Sequence, residues 1–567
     1  MKKKWKRITW KDEAVNRGEH PKKGTQTEVE HEALLEMEIF PLPEGIIAEK
    51  DVFIEMRDGI KLAVNVYRPQ KGGKFPVIMS FGPYGKDDSP HGYSVTKFEF
   101  SVEAGLSIGK LPISEATPFE APDPAFWVPN DYVLIHVDTR GFFKSEGEKQ
   151  VHSEIETMDY CEVVEWASTQ EWSSGNVGLS GVSYLAVSQW YTAAAQPPQL
   201  KAIIPWEGFS DIYRDWRFPG GIPESSFSVF ITQAFMGQLT DSFIMKMLDP
   251  VTNQNMLDHN PQLKKINIPA LICASWSDHG LHTRGGFEAF KRISSKDKWL
   301  YTHGREKWAQ YYSDEGLELQ KKFFDFFLKG VDSGMMDTPR VRLEVRESRD
   351  EYTVRYENEW PIARTDYRKL YLDAQTGALS PIEVSQEGKV SYDSMKGKVE
   401  FDITFGQDIE ITGYIKLRLW VSSEGTDDMD LLVGLKKIDA DGNEVYFYGT
   451  AMSAYVKGLV SRGWLRLSQR ELDEKESTPW QPILKHQGEK KMKPGEIVSA
   501  EIEIFPSSTI FREMETFRLV IQGRDLVEGI PVGRLGYSHL LNKGEHSIYT
   551  GGEHDSHLLI PVIPGKS

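Results

Sequence analysis

From Asp51 the chain alternates apolar and polar positions through V-F-I-E-M, turns at Arg57-Asp58-Gly59 and alternates again through K-L-A-V-N-V-Y, which predicts a β-hairpin ending at Arg68-Pro69. Unbroken apolar runs follow: P-V-I-M-S at 76–80, Y-V-L-I-H-V at 132–137, N-V-G-L-S at 176–180, then A-I-I-P-W and A-L-I-C-A. Runs of this length suit strands buried on both faces. Between them lie segments such as E-T-M-D-Y-C-E-V-V-E-W-A at 156–167, whose apolar positions recur every three to four residues, as on an amphipathic helix. Alternating strands and helices predict a parallel sheet with crossover helices.

Residues 210–258 interrupt this rhythm with aromatic and Met-rich text, including Trp216, Phe218, Phe230, Phe235 and Met236, and predict a helical cap inserted over the sheet. After Pro339 the pattern changes again, to short alternating runs such as V-R-L-E-V, Y-I-K-L-R-L-W-V and I-V-S-A-E-I-E-I, as in a β-sandwich. The expected organisation is an N-terminal arm over 1–44, an α/β domain with its cap over 45–335, and a β domain over 336–567.

Composition narrows the function. Lys and Arg number 67 against 84 Asp and Glu, a net charge of −17, which argues against nucleic acid or an anionic membrane as partner. The basic start Met1-Lys2-Lys3-Lys4 is not followed by an apolar run, and no segment reaches the length of a membrane-spanning helix, so a cytoplasmic protein is expected. The two cysteines, Cys161 and Cys273, sit in apolar periodic text as buried thiols.

The chemistry concentrates at Gly181-Val182-Ser183-Tyr184-Leu185, where an apolar strand runs into a helix-forming stretch. A serine on such a sharp turn presents its hydroxyl above the sheet, beside a helix N-terminus that favours developing negative charge. Leu185 occupies the second glycine position of the G-x-S-x-G pattern. Hydrolases of this type place nucleophile, acid and histidine in that chain order. Asp278, in Ser277-Asp278-His279-Gly280, is the expected acid, and His303, in Thr302-His303-Gly304, the expected base. His279 and His282, close to Asp278 in sequence, are expected to make loop hydrogen bonds instead. The Tyr184 amide and the Tyr84 hydroxyl, from Gly82-Pro83-Tyr84-Gly85, are candidate oxyanion donors, since Pro83 has no N–H to give. Trp216, Trp276 and Trp308 are candidate walls of the substrate pocket. No metal or other cofactor is expected.

R-D-G-I-K-L-A-V-N-V-Y-R-P, G-P-Y-G-K, D-T-R-G-F-F-K-S-E-G, G-V-S-Y-L, W-S-D and H-G-R-E-K-W resemble the cocaine esterase and X-Pro dipeptidyl-peptidase family of α/β-hydrolases, and the likeness continues through I-T-G-Y-I-K-L-R-L-W-V-S-S and G-W-L-R-L-S-Q-R. The resemblance implies the Ser183, Asp278, His303 triad, the Tyr84 and Tyr184 oxyanion hole, a helical cap and a C-terminal jelly roll. Ala186 stands where that family often has glycine. The expected activity is a serine hydrolase acting on a small ester, amide or short peptide through an acyl-enzyme, with esterase or acylase action favoured. The alternatives are an X-Pro dipeptidyl-peptidase, for which Glu207, Asp211 or Asp215 could bind the substrate amine, and a noncatalytic binding protein on the same scaffold. A homo-oligomer is compatible with the sequence.

Overall fold

The computed structural model describes residues 3–4, 36–87, 110–237, 239–305, 307–449, 457–527 and 535–564. Most of the arm expected over 1–44 falls outside these. The end of that arm is no surface tether: Glu36–Phe40 pairs in parallel with Lys110–Ser114, and Ile39 is buried.

The hairpin forms as its alternation predicts, β1 (Ile46–Glu55) against β2 (Lys61–Pro69). The apolar runs become β3 (Phe75–Gly82), β4 (Val133–Asp138), β5 (Ser173–Val182), β6 (Leu200–Trp206), β7 (Ala270–Ser275), β8 (Lys298–His303) and β9 (Val341–Arg346), and β10 (Tyr352–Glu357) closes the series. Across the sheet the order is β1-β2-β4-β3-β5-β6-β7-β8-β9-β10, parallel from β4 to β9 and antiparallel at both ends.

Successive side chains of a strand point to opposite faces, so each buried strand feeds two cores. Val77 and Met79 join the core covered by α1 (Glu154–Thr169), α2 (Tyr184–Ala195) and α4 (Thr283–Arg292), whereas Ile78 joins the core under α5 (Asp314–Lys329). Helix α5 approaches closely because Gly178 has no side chain: a Cβ there would stand 2.7 Å from the Phe324 ring.

The described residues of 210–259 contain no strand. A single turn at Ile212–Arg217 leads to α3 (Phe227–Met236) and two shorter helical pieces, Asp241–Met247 and Gln254–His259.

The remaining chain is β-rich and antiparallel. β11 (Ile409–Ser423) lies between β14 (Val498–Phe511) and β16 (His557–Ile563), while β12 (Asp430–Ile438) pairs with β13 (Ser461–Arg466) and β15 (Thr516–Gln522). Leu417, Leu419, Leu431, Val433, Ile502 and Leu519 alternate inward to form its core. β9 meets β14 at Arg346 and Thr509, which joins this region to the first sheet.

Candidate active site

Ser183 stands between the end of β5 and the start of α2, with φ 59° and ψ −118°. This is a strained conformation for a residue with a side chain, and it persists only where the surroundings enforce it. The enforcement is visible: the Ser183 N–H donates to the carbonyls of Trp206 and Glu207, both at 3.1 Å, and the Ser183 carbonyl receives the Ala186 N–H. Leu185 fits the second glycine position because its neighbours have no side chains. A Cβ on Gly181, at φ 153°, would lie 2.5 Å from Leu185 Cβ, and one on Gly82 would lie 2.4 Å from its Cδ1.

The Ser183 Oγ is 3.2 Å from Nε2 of His282, whose Nδ1 contacts the Asp278 carboxylate. All three side chains therefore connect, with His282 and not His303 in the middle. After β7 the chain makes one helical turn in which the N–H groups of Leu281, His282 and Thr283 converge on the Asp278 carbonyl. Residues four apart on such a turn share one side. Gly280, at φ 87°, lets the backbone make it. The i, i+4 spacing in D-H-G-L-H was the available signal, and the chain order of serine, acid and histidine is kept.

His303 is a correction to the expected base. It ends β8 fully buried, its Nδ1 accepts the Arg305 N–H at 3.2 Å, and its Nε2 lies 2.8 Å from Glu207 Oε1. Both ring nitrogens are thus engaged away from the nucleophile. Glu207, Cys273 and His303 bring potential metal-ligating atoms within 4.8 Å of one another among the described residues. Burial pushes the Cys273 thiol well above its ordinary pKa, which disfavours the thiolate a metal needs. The pair is better described as a buried acid–imidazole contact beneath the site.

The Tyr84 phenol adjoins the Ser183 side chain and the Tyr184 N–H. Burial, reinforced by the nearby Glu120, raises its pKa well above the ordinary value and keeps the proton a donor requires. Glu120 is itself buried, 3.0 Å from Lys307 Nζ and accepting the Trp308 indole N–H at 3.0 Å. Burial raises the Glu120 pKa against the opposing pull of Lys307.

A cavity of about 330 Å³ opens at Ser183 and His282, walled by Tyr84, Tyr184, Phe209 and Trp216 and closed from above by α3. His152 stacks on the Tyr184 ring at 4.5 Å, and burial holds its pKa down at about 3, so it enters the wall as a neutral ring. Sequence reasoning missed it; nothing in its local text marks it. Of the three expected tryptophans only Trp216 lines this cavity. Trp276 is fully buried, stacked on Phe287 and donating to the Glu344 carbonyl, and Trp308 is held behind Tyr84 by Phe119 and Glu120. Both lie on buried segments whose indole N–H groups found partners in the core.

A serine hydroxyl beside an imidazole that is oriented by a carboxylate, set on a strand-to-helix turn of a largely parallel sheet, defines a serine hydrolase of the α/β class. Comparison with known proteins agrees. Residues 58–243 match the X-Pro dipeptidyl-peptidase (S15 family) model, and residues 333–559 match the X-Pro dipeptidyl-peptidase C-terminal non-catalytic domain. A cocaine esterase of Rhodococcus sp. (strain MB1 Bresler) is 26% identical over 90% of this chain and 98% of its own. A crystal structure of a CocE/NonD family hydrolase from Staphylococcus aureus superposes with a TM-score of 0.86 at 43% identity, covering 92% of this chain and 94% of that one. An aminopeptidase from a marine sediment Thaumarchaeota archaeon shares the fold, with a TM-score of 0.69 at 14% identity and coverage of 92% and 97%. The chain belongs to the CocE/NonD family of hydrolases.

Proposed function

We propose that the protein is an acyl esterase in which Ser183 attacks the substrate carbonyl. His282 takes the hydroxyl proton and returns it to the leaving group, and Asp278 fixes the imidazole tautomer. The Tyr84 hydroxyl and Tyr184 N–H stabilise the oxyanion, and water then releases the acyl group by the same base. The observation that carries this reading is the unbroken contact from Ser183 Oγ through His282 to Asp278.

Esterase action is favoured over dipeptidyl-peptidase action by the state of the acidic residues. A dipeptidyl-peptidase must hold a free α-amino group, yet Glu207 pairs with His303, Asp211 with Arg214 and Asp215 with Arg284. No acidic residue lines the cavity at Ser183 among the described residues. We read the helices of 210–258 as the cap of a hydrolase domain spanning 45–335, and the antiparallel strands of 336–567 as a jelly roll.

The decisive measurement is labelling by a fluorophosphonate together with turnover of p-nitrophenyl esters. Both should vanish in Ser183→Ala, with turnover falling by on the order of 10⁶. An unlabelled wild-type protein would sink the proposal, and faster cleavage of Gly-Pro-p-nitroanilide than of short acyl esters would move it to the peptidase alternative.

A further inference from the structure

Among the described residues Arg217 has no ion-pair partner, and it stands in the wall of an otherwise largely apolar cavity. Its guanidinium lies 4.2 Å over the Trp216 ring, and Trp216, Phe227, Ile231 and Phe235 around it are apolar or aromatic. One terminal nitrogen donates to the Ser228 carbonyl at 3.3 Å and the other to Thr232 Oγ1 at 3.1 Å, while Nε is buried and makes no hydrogen bond. No Asp or Glu lies within ion-pair distance of it among the described residues.

The nearest candidate, Glu224, is committed elsewhere. Its carboxylate accepts the N–H groups of Ser226, Phe227, Ser228 and Gly536, which cap the start of α3. Burial accordingly pulls the Arg217 pKa down to about 10, with only the field of Glu224 opposing. Arg217 is half-buried, and a charge partly withdrawn from water without a partner is costly, so proteins retain such groups where something else supplies the opposite charge. Methionine would fill a similar volume without a charge if packing over Trp216 were the whole role.

We propose that the substrate carries a carboxylate distal to the scissile ester, and that Arg217 binds it. The inference rests on the acyl-esterase reading of the same site and specifies its substrate class: esters of dicarboxylic acids, or carboxylate-bearing alcohols, whose apolar middle occupies the aromatic part of the cavity. Arg217 is then a specificity residue. The planar guanidinium supplies the charge-assisted hydrogen bonds, and the Trp216 ring holds it flat.

The test compares p-nitrophenyl hemiglutarate with its neutral methyl-ester counterpart, and 3-acetoxybenzoate with phenyl acetate, in wild-type enzyme, Arg217→Gln and Arg217→Lys. In the wild type, kcat/KM for the carboxylated member of one pair should exceed that of the neutral member by about 10- to 100-fold, chiefly through KM. Arg217→Gln should collapse that ratio, and Arg217→Lys should restore part of it. A wild-type ratio near one in both pairs, or an equal ratio in wild type and Arg217→Gln, overturns the proposal. The wild-type ratio stands even if a variant fails to fold. Retained fluorophosphonate labelling at Ser183 with no carboxylate preference would defeat this inference alone; loss of labelling would defeat the esterase reading beneath it.

Discussion

His282 and His303 differ in what their ring nitrogens touch, and that difference makes the assignment testable one residue at a time. His282→Asn removes the group facing Ser183 and should lower kcat on p-nitrophenyl acetate by on the order of 10⁴ or more while the protein stays folded. His303→Asn strands Glu207 in the interior and should cost about 3–5 kcal/mol in urea unfolding, with kcat of the folded fraction within about tenfold of wild type. The opposite pattern would return the base to His303. Sequence reasoning picked out Ser183, Asp278 and Tyr84 because each sits directly after a recognisable strand; Tyr84 adjoins Ser183, and Asp278 reaches it through His282. It missed His282 because the choice depended on whether residues 278–282 run straight or make a turn. That choice is made by backbone hydrogen bonds to the Asp278 carbonyl and by Gly280, which an apolar pattern does not encode.

At the scale of elements, the turn between β5 and α2 was legible from an apolar strand running into small residues and a helix former. How the turn accommodates Leu185 was not, because the space it fills is provided by Gly82, about a hundred positions earlier in the chain. Gly181→Ala meets both limits of this turn, a backbone angle unsuited to a side chain and a Leu185 contact with no room to yield. It should destabilise the protein by about 2–4 kcal/mol in denaturant unfolding and slow fluorophosphonate labelling, since Ser183 is held by the same turn. A neutral effect on both would mean that the crowding around Leu185 relaxes freely. The strands of the parallel sheet were read within a few residues of their ends because burial on both faces leaves an unbroken apolar run. The N-terminal strand Glu36–Phe40 was read as part of an arm, since its partner lies in a segment far along the chain.

Across the whole molecule, buried histidines weaken the fold in acid, against an opposing contribution from buried carboxyls such as Glu156, raised to about 7, and Asp138, raised to about 6. Burial holds His136 and His152 down at about 3 and His546 at about 4, all below the ordinary imidazole value of about 6.5. The unfolded chain therefore takes up protons on these groups before the folded one does. Their contribution to stability is complete above about pH 6.5 and is lost as the pH falls toward 3–4, by up to about 1.4 kcal/mol per pH unit for each group. Thermal unfolding followed from pH 7 to 4 should show His546→Gln losing less stability, or gaining more, than the wild type over that range. An equal slope in that variant would exclude His546 as a contributor.

The position of the second half of the chain matters to the chemistry of the first. Tyr537 and Trp464 press on Gly280, within the turn that carries Asp278 and His282; a Cβ there would stand 2.6 Å from the Tyr537 hydroxyl. Arg284, just beyond the base, joins Asp215 at 2.8 Å to Glu503 at 2.9 Å. Gly280→Ala should therefore lower kcat by on the order of 10- to 100-fold with a smaller effect on the melting temperature, because it displaces the imidazole without opening a core. An unchanged kcat would show that the turn tolerates the push. The region that matches the C-terminal non-catalytic domain thus packs against the turn carrying His282, the proposed proton acceptor. Severing it would strip Tyr537 and Trp464 from that turn while Ser183, His282 and Asp278 stay on one piece, so the second half is expected to govern how well the three align and not whether they are present.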